Sequence, residues 1–375
     1  MKEILPMAGS DAICCETAQK VPPRLPSLEQ PFISGSTNTP VGDVPKVDAS
    51  LTWTDRMGSY KARWGIDRMH YHIEPGIYAL GNPDENSRVL VTANYKMSFD
   101  RLREALPGKD FWILVLDTNG INVWCAAGKG TFGTQNLIQT IQSSGLAQIV
   151  KHRDLIVPQL GGPGIAAHLV KKRSGFKVIY GPIRAIDLIP FLGNGLKATP
   201  EMRKKTFTTW ERTVLIPIEI VASLKAAIII IPILMIIGGL LGPTTFGSDV
   251  GRYGLLVGLA ILLSILAGAV LTPLLLPWIP GRAFSIKGLV MGLLVAIVMS
   301  LFWINDFSSL SGRAEIISWF LIISTPAMYM AMNFTGSSTY TSLSGVKKEM
   351  RWAVPVEIGM SVIGLGLWIW AVVAA

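Results

Sequence analysis

One cysteine in this chain stands in a setting that could do chemistry. The string Asn122-Val123-Trp124-Cys125-Ala126-Ala127-Gly128-Lys129-Gly130 follows an apolar run ending at Leu116 and a turn-forming stretch, Asp117-Thr118-Asn119-Gly120. Asn122 is a good N-cap and Gly128 or Gly130 a good terminator, so the spacing predicts a short helix with Cys125 in its first turn. There the unpaired amides and the positive end of the helix dipole favour thiolate over thiol, and Lys129, four residues on, adds a positive charge. A sulfur so placed seeks soft metals. A cysteine taken by itself is more often an inert core residue, and it is the flanking string that singles out Cys125. Trp124 reads equally well as core and as packing against a bound ring.

Other candidates are weaker. Thr92 and Asn94 close an apolar run, where a polar strand end either caps a turn or meets a ligand. Gly161-Gly162-Pro163-Gly164 would suit a phosphate but lacks the Lys-Ser/Thr of a P-loop and the GxGxxG spacing. His70 and His72 have no second pair nearby to complete a metal site and read as solvated or packed. Cys14-Cys15 could scavenge a soft ion such as Hg(II), although an incidental pair is the safer reading. The polar run 335–349 is patterned enough to touch the soluble region or a partner.

The elements that must position Cys125 follow from the distribution of charge. The 375 residues carry 34 Lys+Arg and 25 Asp+Glu beside 50% hydrophobic content, and the ionisable residues thin out after about Arg212. Two unlike regions are therefore averaged. Residues 1–50, rich in Pro, Ser, Thr and Gly, are read as a mobile arm. Residues 51–200 alternate short β-like runs (88–92, 111–116, 155–157 and 176–180) with helical stretches (136–143 and 164–173), the signature of an α/β domain with parallel strands. A basic linker, 201–219, leads to 220–375, where five apolar stretches at 220–242, 254–277, 286–304, 315–334 and 353–374 approach the length a bilayer core demands.

The basic residues Arg203, Lys204, Lys205 and Arg212, then Arg282 and Lys287, then Lys347, Lys348 and Arg351 fall in alternate loops, all on one side of these spans, with only Arg252 and Arg313 opposite. The positive-inside rule places residues 51–200 in the cytoplasm and Ala375 outside, in a multi-pass inner (cell) membrane protein. The formal charge of +9 is thus explained by membrane orientation, and no aromatic-interleaved basic stripe points to nucleic acid. Three cysteines cannot build a secreted disulfide framework.

The eight residues Asn122 to Lys129 resemble the cap-helix motif of the HgcA family, the membrane corrinoid proteins of mercury methylation, which are related to the corrinoid iron-sulfur protein. Further strings similar to those relatives are Val91-Thr92-Ala93-Asn94-Tyr95-Lys96, Pro158-Gln159-Leu160-Gly161-Gly162-Pro163-Gly164 and Tyr180-Gly181-Pro182-Ile183-Arg184. Each closes a proposed strand, so all should gather on one sheet edge with the cap helix. The resemblance implies a Rossmann-like α/β corrinoid-binding domain followed by an all-α domain of five transmembrane helices. It implies a cobalamin-type corrinoid held by Thr92, Asn94, Asn122, Val123, Trp124, Cys125, Ala126, Ala127, Gly128, Lys129, Gly161 and Gly162, with Cys125 as the lower ligand of cobalt and catalytic residue.

The implied activity is a corrinoid-dependent methyltransferase passing methyl from cobalt to Hg(II), the thiolate loosening the bond opposite it. With too few cysteines here for a cluster, electrons must come from a separate ferredoxin-like iron-sulfur protein, HgcB in that family. The methyl donor is expected to be a folate-linked methyltransferase. The competing expectations are a membrane-tethered corrinoid methyl carrier of acetyl-CoA-type metabolism and, more remotely, a transporter with a regulatory domain, which the scarcity of charges in the spans disfavours.

Overall fold

Seven strands form one sheet in the computed structural model, which describes residues 23–303, 308–335 and 343–374. They are β1 (Gly35–Thr39), β2 (Gly42–Val47), β3 (Gly76–Leu80), β4 (Val89–Ala93), β5 (Phe111–Leu116), β6 (Asp154–Val157) and β7 (Lys177–Tyr180), in the spatial order β1-β2-β3-β5-β4-β6-β7. β5, β4, β6 and β7 pair in parallel, whereas β3 runs antiparallel to β5 and β1 antiparallel to β2, so the sheet is mixed. β4 and β5 are buried along their whole length, as their unbroken apolar runs require of strands covered on both faces.

The stretch 1–50, expected as an arm, contains regular structure that its composition did not suggest. Residues 35–47 form the β1–β2 hairpin at the sheet edge, where an exposed polar face and Pro45 are tolerated. Cys14 and Cys15 lie outside the described residues.

The chain forms two compact units: Met1–Leu51 with His72–Ala198, and Thr52–Tyr71 with Thr199–Ala375. Helix α1 (Trp53–Arg63) therefore belongs with the second unit and not with the sheet, unlike the continuous 51–200 domain expected. In the first unit, α2 (Lys96–Glu104) covers one sheet face, where Phe99 meets Tyr78 with ring centroids 5.2 Å apart. Beside it Asp100 takes both Lys96 and Arg103, and Arg103 also donates to the carbonyls of Asp48 and Ser50. The other face is filled by α3 (Val123–Lys129), α4 (Thr134–Ser143), α5 (Leu146–Ile149) and α6 (Ala167–Ser174), which bury Ala126, Leu137, Ile141 and Val170 against Val91, Ala93, Leu114 and Leu116.

Among the described residues, the second unit contains five helices long and apolar enough to cross a membrane: Thr209–Leu241, Phe246–Leu275, Phe284–Phe302, Leu310–Phe334 and Gly345–Val373. The first begins well before position 220, because a Thr208–Glu211 capping box starts a helical turn inside the expected linker. Small residues set the helix contacts: a Cβ at Gly288 or Gly292 would lie 2.4 Å from the Ala327 carbonyl or 2.5 Å from the Ser324 Cα, so the third and fourth spans touch backbone to backbone. Glu357 is buried well inside the fifth, and Glu349 accepts a hydrogen bond from the Ser285 amide at 2.6 Å. Positions 336–342 of the polar run 335–349, as well as Ala375, fall outside the described residues.

Candidate functional site

The connectivity reverses at β4. From β4 the chain passes through α2 to β5 on one side, then through α3 and α4 to β6 on the other. Crossovers in opposite directions make this a switch point of the sheet, and in open α/β sheets ligands bind beyond the carboxyl ends of the strands at such a point. The turns at those ends carry the strings singled out in the sequence: Asn94 after β4, residues 117–122 after β5, 158–164 after β6 and 181–184 after β7.

The expected cap helix is α3. Its N-cap is Asn122, whose side-chain oxygen accepts from the Cys125 amide at 3.0 Å, and Gly130 ends it in the left-handed region at φ 84°. Ala126 and Ala127 are buried against the core, which turns Cys125, Gly128 and Lys129 outward as an exposed strip, with Trp124 exposed beside them. Cys125 is a free thiol. A Cβ added at Gly128 would meet nothing within 4 Å, so no neighbour within the chain demands glycine there. Three residues from Cys125 on the same helix face, its lack of a side chain keeps the strip flat.

Three devices hold this strip in place. Asn94 Oδ1 accepts from the amides of Thr118 and Gly120 at 3.0 and 3.1 Å, and its Nδ2 donates to Asp117 at 3.1 Å. Asn136 donates to the carbonyls of Asp117 at 2.5 Å and Thr131 at 2.7 Å, tying together the turns before and after α3. Thr134 joins the cap segment to the neighbouring turn: its hydroxyl accepts from the Ala166 amide at 2.8 Å and lies 3.3 Å from the Gly164 carbonyl. Beneath them Phe132 is fully buried, and a Cβ at Gly161 would lie 2.4 Å from its ring.

The structure thus gathers Asn122, Val123, Trp124, Cys125, Ala126, Ala127, Gly128 and Lys129 at one edge with Gly161 and Gly162. Gly161 is buried under Phe132, whereas Gly162 is partly exposed and open, its nearest neighbour being the Tyr180 ring at 3.7 Å from an added Cβ. Two expected ligand residues have other places. Thr92 is buried, and strand alternation turns it to the α2 face, opposite Val91 and Ala93, which pack with the cap helix. Asn94 is spent on the turn. Sequence reasoning missed Phe132, Thr134 and Asn136, whose only signal was their position just beyond the cap motif. His70 pairs with Asp67 at 2.8 Å, and among the described residues no three His, Cys, Asp or Glu side chains gather to hold a metal ion.

Residues 67–183 match the family described as CdhD, CO dehydrogenase/acetyl-CoA synthase delta subunit. The match runs from just before β3 to the turn after β7, so it takes in every strand end described above. The acetyl-CoA decarbonylase/synthase complex subunit gamma of Methanopyrus kandleri is 33% identical over 122 residues, which are 32% of this chain and 26% of that protein. Its counterpart in Methanocaldococcus jannaschii is 30% identical over 139 residues, 36% of this chain and 28% of that one. Subunit gamma 2 of Methanosarcina thermophila is 32% identical over 118 residues, or 30% and 24%. The chain spans about a quarter of the length of these relatives, and the five apolar helices lie outside the matched residues 67–183.

Proposed function

We propose that the first unit holds a corrinoid against the carboxyl ends of β4, β5, β6 and β7, with Cys125 facing the cobalt, and that the protein is a membrane-bound methyltransferase whose acceptor is Hg(II). The observation that carries this reading is the outward strip of α3: an exposed thiol, a half-exposed indole and a glycine with nothing over it, at the reversal point of the sheet. A flat macrocycle needs such a surface. The similarity to subunits of the acetyl-CoA decarbonylase/synthase complex supports the corrinoid part of this reading.

When bound, the corrinoid supplies a cobalt able to take up and give away a methyl group. The chain's own contribution is placement. Asn122 holds the Cys125 amide, the buried Ala126 and Ala127 fix the helix axis, and Asn94 and Asn136 fix the turns on either side. Gly162 lets the backbone of the neighbouring turn come close. A sulfur so held can stay directed at a soft metal, while Lys129 on the same face adds positive charge beside it.

The chain has three cysteines, too few for an iron-sulfur cluster with four thiolate ligands, so the electrons come from a ferredoxin-like partner of the HgcB type. The methyl group comes from a folate-linked methyltransferase. A second reading, a membrane-tethered methyl carrier of acetyl-CoA-type one-carbon metabolism, is favoured by the names of the relatives.

Membranes containing this protein and its ferredoxin-like partner, given methyltetrahydrofolate, a folate-linked methyltransferase and Hg(II), should form methylmercury only when loaded with corrinoid. Corrinoid-loaded protein that accepts methyl groups but yields no methylmercury would leave the carrier reading standing and remove the mercury one.

A further inference from the structure

Within the second unit, residues 52–71 form a self-contained hook. A capping box between Thr52 and Asp55 starts α1, the ring of Tyr71 packs over Gly58, and the Tyr71 hydroxyl donates to the Asp55 carbonyl at 3.2 Å. This closes one face of α1, on which Asp55 and Ala62 are buried.

The opposite face carries Trp53, Met57, Tyr60 and Trp64, spaced four, three and four residues apart, which places them within about 60° of one another on a helix of 3.6 residues per turn. Trp53, Tyr60 and Trp64 are 73%, 58% and 47% exposed, and Ile66 and Met69 extend the same kind of surface beyond the helix. Cations border the stripe: Lys61 is exposed on one side of it and Arg56 on the other. An outward face of this composition is costly in water, and Trp, Tyr and cations together are the residues favoured where a bilayer meets water.

What covers this face is indicated by the rest of the unit. Just past α1, Gly65 is neighboured by Ile218 and Val221 of the first span, so the hook joins the surface that lipid surrounds. Trp210, at the head of that span, is likewise 73% exposed and follows the basic stretch 203–205.

The geometry points to residues 52–71 being an interfacial anchor that lies in the headgroup layer of the bilayer, with the aromatic stripe facing the acyl boundary and its cations meeting anionic phospholipid. The chain leaves the first unit at Leu51 and returns to it at His72. The first unit is therefore tied to the membrane by this anchor as well as by the chain that leads into the first span.

The test uses the full chain with Cys14, Cys15 and Cys125 replaced by Ser, reconstituted in phosphatidylcholine–phosphatidylglycerol bilayers. A nitroxide is attached at Tyr60→Cys or, in a second protein, at Trp64→Cys. Glu29→Cys serves as a water-facing reference and Ile229→Cys, exposed on the first span, as a lipid-facing one. Spin-relaxation enhancement by oxygen, which partitions into lipid, is compared with that by a water-soluble nickel chelate. The oxygen-to-nickel ratio at positions 60 and 64 should be several-fold above that at 29 and approach that at 229. A Lys61→Glu change should lower it in the phosphatidylglycerol bilayers and leave it alone in phosphatidylcholine. Ratios equal to that at 29, dipolar broadening between labels on two copies, or indifference to Lys61→Glu would each overturn the assignment.

Discussion

Asn94 and Thr118 are joined twice at the head of the cap segment: the Asn94 side-chain oxygen lies 3.0 Å from the Thr118 amide and 2.8 Å from its hydroxyl. Because two backbone N–H groups, those of Thr118 and Gly120, aim at this one atom, it must be the oxygen of the amide. The Thr118 hydroxyl also sits 2.6 Å from the Ile121 carbonyl, so its single proton serves two acceptors. Strand β4 thereby dictates the path of the chain into α3.

Asn94→Ala should leave buried amides without an acceptor and destabilise the first unit by about 1–3 kcal/mol. Asn94→Asp, which keeps the acceptor, should recover much of this, though it brings a second carboxylate to Asp117. Denaturation of the first unit followed by tryptophan fluorescence reads both. Equal stability of Asn94→Ala and the parent protein would mean that the turn holds itself.

Two adjacent glycines should behave differently. Gly161→Ala drives a methyl group into the Phe132 ring and should cost about 1–3 kcal/mol through overpacking. At Gly162 an added methyl group meets only ordinary contact with Tyr180, so Gly162→Ala should fold normally and weaken corrinoid binding instead. Thermal unfolding and corrinoid titration of the two variants separate these effects. A Gly162→Ala protein with unchanged corrinoid affinity would place the ligand elsewhere.

The contrast between those glycines shows where the sequence was informative. The runs around Leu90 and Leu114 are legible as strands because a strand buried on both faces must be apolar throughout. Asn122 and Gly130 are legible because capping is local chemistry. The β1 strand of the edge hairpin is not, since Gly35–Thr39 carries no apolar residue to mark it. Asn136 reads as an ordinary helix residue, and only the folded chain brings it to the Asp117 carbonyl, 19 positions away. The burial of Thr92 on the α2 face was hidden for a related reason: without knowing which face α3 covers, alternation cannot say which side of the strand a residue turns to.

We propose the sidedness that the basic loops predict. A reporter that works only outside the cytoplasm should be active when fused after Ala375, and one that works only inside should be active at Ser344, because Lys347, Lys348 and Arg351 resist transfer against a membrane potential negative inside. The opposite pattern would put Cys125 out of reach of cytosolic methyl donors and reductants.

The central claim is that Cys125 faces the cobalt of a bound corrinoid. Its most direct measurement is the visible absorption spectrum of the corrinoid-loaded full chain beside its Cys125→Ala variant, with corrinoid content quantified in each. The parent protein should show the band pattern of a thiolate-ligated Co(III) corrinoid, and the variant should keep corrinoid while its bands shift to those of a water-ligated or ligand-free form. Identical spectra in the two proteins at equal corrinoid content would contradict the account.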